Sequence, residues 1–210
     1  MTNPWLQLPL PEYEAHMSLS QVAQAALLGD IFAELLEAYA PRSVAVLGCA
    51  GGNGFERISP EVTKRVVGID INPAYIGACG ARFEDRIPGL ELLVGDIEKD
   101  DFGFSPVDLV FAALVLEFVD VATALKRIRP MLAPGGTLGT VVQLPSLSVA
   151  VVTPSPFARV QALSRVMRLV SPGALQTLAA RQGLEQTGSH RVESRASKEF
   201  QVQTFSARNA

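Results

Sequence analysis

The chain is poor in the residues from which several classes of protein build their sites. It has two histidines and two cysteines, Cys49 and Cys79, which are too few and too scattered for a disulfide framework or a metal site. No apolar run reaches the ~18 residues that a membrane-spanning helix needs. The formal net charge of −3 gives no basic excess of the kind that nucleic-acid-binding proteins carry. These scarcities predict reduced thiols, no bound metal, and neither membranes nor nucleic acids as partners.

Apolar residues, in contrast, are plentiful. Hydrophobic residues make up 48% of the 210 positions and charged residues 19%, which is typical of a globular protein with a sizeable core. This length suits one domain and is short for two, so we expect a single domain over residues 1–210. The first five residues lack the basic region and apolar core of an export signal, which predicts a cytoplasmic protein.

Strand and helix patterns alternate through the middle of the chain. Helices are predicted from 72 to about 83, where Asn72 caps the first turn ahead of Pro73, and from 120 to about 129. Apolar runs predict strands at 44–47, 65–69, 91–94, 108–113 and 137–143. This alternation predicts an α/β protein in which helices cover both faces of a parallel sheet.

The flanking segments carry different patterns. Apolar residues at helical spacing predict helices within residues 1–40. Helical spacing recurs over 157–170, and a further helix is predicted over 171–183. Polar stretches at 184–194 and 200–206 tolerate β-structure and predict two closing strands.

The most informative segment follows the first predicted strand. The strand ends at Leu47, and four glycines fall between positions 48 and 54. Glycine permits positive φ and lets a ligand approach the backbone. Asp70 ends the next apolar run, 18 residues beyond Gly52, which is the spacing of a βαβ unit whose acid faces a ribose; Asp96 ends a further run. Such glycine-rich turns hold adenine-containing cofactors, although a ligand-free turn with capping acids would use the same residue types.

Over residues 44–143 the chain resembles the class I S-adenosylmethionine-dependent methyltransferases. The resemblance, carried by the glycine loop, Asp70 and Asp96, implies a doubly wound, Rossmann-like sheet of seven strands, mostly parallel with one antiparallel strand in a terminal hairpin. It implies that S-adenosylmethionine is the cofactor, with the loop around its methionine part, Asp70 on the ribose hydroxyls and Asp96 on the adenine amino group. The implied contacts are Gly48, Cys49, Ala50, Gly52, Asn53, Gly54, Asp70, Ile71, Asp96, Ile97 and Ala113.

The same resemblance divides the chain. Residues 1–40 correspond to a helical lid, 41–143 to the cofactor-binding core, and 144–210 to acceptor-side helices and the terminal hairpin. Two positions depart from the family pattern. Val46 stands where the family usually has an acid, and Ala50 replaces its middle glycine.

Three residues are candidates for the acceptor side. Residues 108–119 resemble the family's fourth strand and the turn beside the transferred methyl, and Glu117 lies in this otherwise apolar turn. A carboxylate there needs a partner or a cavity, so we expect Glu117 to face the methyl and to orient or deprotonate the acceptor. A solvent-facing acid at a helix start is the alternative. Tyr13 and His16, one helical turn apart, share a face that could close over the site, or they are surface residues.

A nicotinamide or flavin dinucleotide is the rival cofactor. Its fingerprint needs glycine at the third and sixth loop positions, where a count from Gly48 finds Ala50 and Asn53. No Asn-Pro-Pro-Tyr-like motif of amino-methylating enzymes follows the fourth strand, and no Pro-Cys pair suggests a nucleophile for cytosine. The resemblance thus implies a methyltransferase, and the absence of both motifs leaves a small molecule as the expected acceptor. The alternative is a non-catalytic or degenerate methyltransferase-fold protein that acts through partners; the acceptor's identity and the oligomeric state stay open.

Overall fold

The computed structural model describes residues 3–146 and 149–207, and its centre is a sheet of seven strands. The strands are β1 Ser43–Leu47, β2 Arg65–Asp70, β3 Leu90–Val94, β4 Val107–Ala113, β5 Leu132–Gln143, β6 Leu184–Glu193 and β7 Glu199–Ala207. They lie in the order β3-β2-β1-β4-β5-β7-β6. β7 is antiparallel to both of its neighbours and the other pairs are parallel, which confirms the predicted mostly parallel sheet with a terminal hairpin.

Helices pack around this sheet. The α-helices of the described residues are α1 Leu10–Ser18, α2 Ala25–Tyr39, α3 Pro73–Phe83, α4 Val121–Ile128, α5 Ala158–Ala162 and α6 Pro172–Arg181. The Asn72 side chain caps α3 by accepting a hydrogen bond from the Ala74 amide at 3.0 Å, as its place before Pro73 predicts. Within the described ranges, no helix combines the length and the apolarity that crossing a bilayer requires.

Alternate side chains of the central strands enter the two cores on opposite faces of the sheet. Val44 and Val46 of β1 pack with residues of α2 and α3, whereas Ala45 and Leu47 pack with residues of α4 and α6. All four side chains are at most 4% exposed. Because successive strand residues point to opposite faces, a strand covered on both sides must be apolar throughout, as this one is.

The strand order reverses beside β1. The chain passes from β1 to β2 and β3 on one side, and then crosses to β4 and β5 on the other. The loops that leave β1 and β4 therefore diverge, and a crevice opens at the carboxyl ends of the strands. This crevice holds the candidate site.

The predicted helix over 157–170 is wrong over most of its length. α5 ends at Ala162, and a 3-10 turn at Leu163–Arg165 follows it. Beyond that turn, the Arg168 amide donates to the Glu117 carbonyl oxygen at 2.8 Å. This tertiary hydrogen bond takes the Arg168 amide out of any helical ladder, so the helix stops although the apolar spacing continues.

Candidate active site

The carboxyl ends of β1, β2 and β4 border a cleft of about 770 Å³, which we call the first cavity. Its walls come from the loops after the parallel strands and from the N-terminal segment. They include Trp5, Tyr13, Gly48, Ala50, Asp70, Ile71, Asp96, Ile97, Ala113 and Leu114. The fold therefore brings seven of the predicted cofactor contacts to one cleft.

The loop after β1 turns through positive φ at Gly48 (+66°) and at Ala50 (+49°). A Cβ on Gly48 would lie 3.4 Å from Val115 Cγ2, so glycine keeps the cavity wall open at this point. The left-handed conformation costs an L-residue such as Ala50 about 1 kcal/mol or more. The Ala50 amide donates to Asp70 Oδ2 at 2.9 Å, which holds the strained loop against the end of β2.

The other predicted loop contacts do not line the first cavity, namely Cys49, Gly52, Asn53 and Gly54. Cys49 is buried in the apolar core and Asn53 is exposed. A Cβ on Gly52 would lie 2.5 Å from the Phe83 ring, and a Cβ on Gly54 would lie 3.1 Å from Phe32. The glycines at 52 and 54 therefore let the loop pack against α3 and α2. Packing is enough to require glycine at both positions, and their contact with a cofactor stays a prediction.

Asp70 ends β2 with its carboxylate at the wall of the first cavity, where the residue is only 8% exposed. Its Oδ1 accepts a hydrogen bond from the Asn72 amide at 2.8 Å, and its Oδ2 accepts from Ala50. Burial raises the pKa of Asp70, although the backbone amides of Asn72, Ala50 and Ile71 oppose this effect. The carboxylate is thus held rigidly, and its remaining lone pairs can accept from hydroxyl groups in the cavity.

Asp96 lies at the same cleft after β3. Its Oδ1 accepts from the Glu98 amide at 2.9 Å, and its Oδ2 pairs with Lys99 Nζ at 2.5 Å. Burial raises the pKa of Asp96, but the Lys99 ammonium and the Glu98 amide outweigh burial and lower it overall. Asp96 is therefore an ionised acceptor, and Ile97 beside it adds an apolar surface that is 7% exposed.

The N-terminal segment closes over the first cavity, and Trp5 is a wall residue that sequence reasoning missed. Its ring packs edge-on against Tyr13 and Phe118, with centroid separations of 5.7 and 4.9 Å. The Asn72 side chain donates to the Trp5 carbonyl oxygen at 2.9 Å and so ties this segment to α3. A single tryptophan in the whole chain is the one signal that could have drawn attention to it.

A second cavity of about 500 Å³ adjoins the first. Trp5, Tyr13, Leu114 and Phe118 line both cavities and form the junction between them. His16 lines the second cavity, so α1 brings Tyr13 and His16 to one face. His16 is 5% exposed and its Nδ1 has no hydrogen-bond partner among the described residues. Burial, together with the nearby Lys198 ammonium, lowers the pKa of His16, so its imidazole is neutral at pH 7.

Glu117 lies in the 3-10 turn after β4 and is 1% exposed, which excludes the solvent-facing alternative. Its Oε1 accepts from the Gln143 amide at 2.8 Å, whereas its Oε2 has no partner in the described part of the chain. Burial raises the pKa of Glu117 to about 7, against the backbone hydrogen bonds that lower it. Glu117 lines neither cavity, which corrects its expected place facing the methyl. It lies behind Gln143, which does line the second cavity.

Two comparisons by sequence agree with this geometry. Residues 45–140 match a family model described as a methyltransferase domain. A trans-aconitate 2-methyltransferase from Methylobacterium radiotolerans is 32% identical over 155 residues, which are 67% of this chain. The chain spans 57% of the length of that curated relative.

Solved structures share the fold. The N-methyltransferase NodS from Bradyrhizobium japonicum, solved with S-adenosyl-L-homocysteine, has a TM-score of 0.69 at 19% identity, over 98% of this chain and 99% of that one. A TehB-like S-adenosylmethionine-dependent methyltransferase from Corynebacterium glutamicum has a TM-score of 0.60 at 23% identity, over 84% and 86% of the two chains. At these identities the likeness shows a common arrangement of strands and helices.

Proposed function

The chain belongs to the class I S-adenosylmethionine-dependent methyltransferases, and from that premise we propose that it transfers a methyl group to a small molecule bound in the second cavity. The observation that carries this proposal is the junction of the two cavities at Trp5, Tyr13, Leu114 and Phe118. A donor in the first cavity and an acceptor in the second would meet there. The four side chains are mostly apolar, so they also exclude water from the junction.

The residues of the first cavity fit an adenosyl group. Asp70 is a rigid carboxylate acceptor, which suits the paired hydroxyls of a ribose. Asp96 lies on the neighbouring loop with Ile97, and together they suit the amino group and flat face of an adenine. Gly48 keeps backbone accessible where a Cβ would close the space toward Val115. We propose these four residues, with Ala50, Ile71 and Ala113, as the cofactor contacts.

When bound, the cofactor supplies a methyl group that its sulfonium already makes electrophilic, so no covalent catalyst from the protein is needed. The chain's own residues hold and orient the acceptor. Trp5 and Tyr13 confine it next to the first cavity, which lowers the entropic part of the barrier. The neutral imidazole of His16, with an unpaired Nδ1, can accept a proton from an acceptor that must lose one. Glu117 has no direct contact with the acceptor in this scheme.

The alternative is a degenerate protein of the same fold that acts through partners. The two departures from the family pattern, at Val46 and Ala50, do not favour it. Val46 is 4% exposed and packs in the core against α2 and α3, so its side chain does not reach the cofactor site. Ala50 takes the positive φ that glycine would take, and its amide still binds Asp70. Both substitutions therefore leave the cavity intact.

Titration calorimetry with S-adenosyl-L-homocysteine tests the cofactor site. Asp70→Ala should weaken binding by about 2–3 kcal/mol, because two charge-assisted hydrogen bonds to the ribose are lost. Asp70→Asn should lose less, since one acceptor remains. The exposed Asp85→Ala is the control and should bind like the parent. If both Asp70 variants bind S-adenosyl-L-homocysteine as tightly as the parent, the assignment of Asp70 to the ribose is refuted. Methyl transfer to a panel of small acceptors then separates an enzyme from a protein that only binds the cofactor.

A further inference from the structure

Lys198 is a buried cation that the proposed chemistry does not use. It lies in the turn between β6 and β7, where its carbonyl oxygen accepts from the Ser194 amide at 2.8 Å. This turn directs the side chain inward, so the residue is only 2% exposed and lines the second cavity. Its Nζ donates to the Val151 carbonyl oxygen at 2.9 Å, and Gln143 Nε2 donates to the same oxygen at 3.1 Å. Two nitrogen donors of the cavity lining therefore converge on one carbonyl oxygen.

The Lys198 ammonium has no counter-charge within the described residues. Across residues 3–146 and 149–207, no carboxylate lies within ion-pair distance of Nζ. Burial lowers the pKa of Lys198 to about 8, so the group is still mainly charged at pH 7. A buried, unpaired charge is costly, and an ammonium has three donors of which Val151 takes one. The position is therefore poised to pair with an anion.

The rest of the second cavity limits the size and charge of that anion. Among the described residues that line the cavity, Lys198 alone is charged at neutral pH, which suits a monoanion better than a doubly charged phosphate. Thr153 Oγ1 and His16 Nδ1 line the same cavity without partners in the described part of the chain, and their residues are 8% and 5% exposed. Gln24 and Gln143 are further polar lining residues, and Met17, Val160, Leu163 and Met167 add apolar walls.

We propose that the second cavity binds a methyl acceptor that carries a carboxylate, which pairs with the Lys198 ammonium. The inference deepens the proposed function and rests on it, because only the proposed methyl transfer makes the bound molecule an acceptor. Thr153 and His16 offer further hydrogen bonds to polar groups of the molecule, and the apolar walls hold its hydrocarbon body. A carboxylate bound at Lys198 leaves the remainder of the molecule free to extend to the junction at Tyr13 and Leu114, which line the same cavity.

The test uses two carboxylates, hexanoate and benzoate, and their neutral amides, hexanamide and benzamide. Each is titrated into the full chain by calorimetry, with and without saturating S-adenosyl-L-homocysteine. At least one acid should bind about tenfold more tightly than its amide, because a charged hydrogen bond at a buried site is lost in the amide. Lys198→Met should abolish this preference. Lys64→Met is the matched control, since Lys64 is exposed beside Pro60, and it should keep the preference.

The outcomes separate this inference from the proposed function. Failure of S-adenosyl-L-homocysteine to bind the parent would overturn the function, and the titrations without it would still test the cavity. Cofactor binding with no acid-over-amide preference, or with a preference that survives in Lys198→Met, would overturn the inference alone. Methionine is unbranched like lysine and one heavy atom shorter, and it removes a buried charge, so the variant should fold. Should it not fold, heteronuclear NMR of the parent decides: hexanoate or benzoate, whichever binds, must raise the pKa of Lys198, and an unchanged pKa refutes the pairing.

Discussion

We predict that the ionisation of Glu117 lowers the free energy of unfolding as the pH rises. An acid that is stabilised in its charged form by the fold has the opposite effect. Burial raises the pKa of Glu117 from 4.5 to about 7 in the folded protein. Between these two values the folded state holds a proton that the unfolded state has released. Folding therefore becomes less favourable as the pH rises from about 4.5 to about 7, and each pKa unit costs about 1.4 kcal/mol. Because the side chain is almost fully buried, we expect a total loss of about 3 kcal/mol.

The substitution Glu117→Gln isolates this effect. Glutamine can keep the hydrogen bond from the Gln143 amide through Oε1, and it cannot ionise. Urea unfolding of parent and variant should give similar free energies at pH 4.5, and the variant should be more stable by about 3 kcal/mol at pH 8. The exposed Glu61→Gln serves as the control for removing one carboxylate elsewhere on the molecule, and it should lack the gain of about 3 kcal/mol at pH 8. A constant difference for Glu117→Gln, or a parent that gains stability over this range, would refute the argument from burial.

Two further predictions concern the glycine loop and the N-terminal cover. Gly52→Ala should lower the free energy of unfolding by about 2–4 kcal/mol in urea titrations, because its Cβ would overlap the Phe83 ring, 2.5 Å away, at a φ of +91°. Gly103→Ala, with positive φ but open space around it, should cost only about 1 kcal/mol, and equal losses would refute the packing explanation. Trp5→Ala should weaken S-adenosyl-L-homocysteine binding by about tenfold, as measured by calorimetry, because the aromatic contact that covers the first cavity is lost. Unchanged affinity would show that Trp5 serves the second cavity only.

Local sequence patterns were sufficient for the sheet and for the place of the candidate site in it. The apolar runs predicted the central strands because a strand covered on both faces buries nearly all of its side chains and is therefore mostly apolar. Asn72 before Pro73 predicted the start of α3 because the cap and the fixed φ act within one turn. Asp70 could be placed at the cleft because the carboxyl ends of parallel strands share one edge of the sheet.

The tertiary structure determined which partners certain side chains have, because no local sequence pattern distinguishes the possibilities. Whether Gly52 serves a ligand or a neighbouring ring depended on Phe83, which arrives from α3. Whether Glu117 faces the methyl, the solvent or the core depended on Gln143 at the end of β5. In the sequence, Lys198 looks like an ordinary lysine of a hairpin turn. Only the structure shows that this turn buries it beside the carbonyl of Val151. Burial and the distance between residues far apart in the chain set these roles, because they determine which charges lose water and which gain a partner.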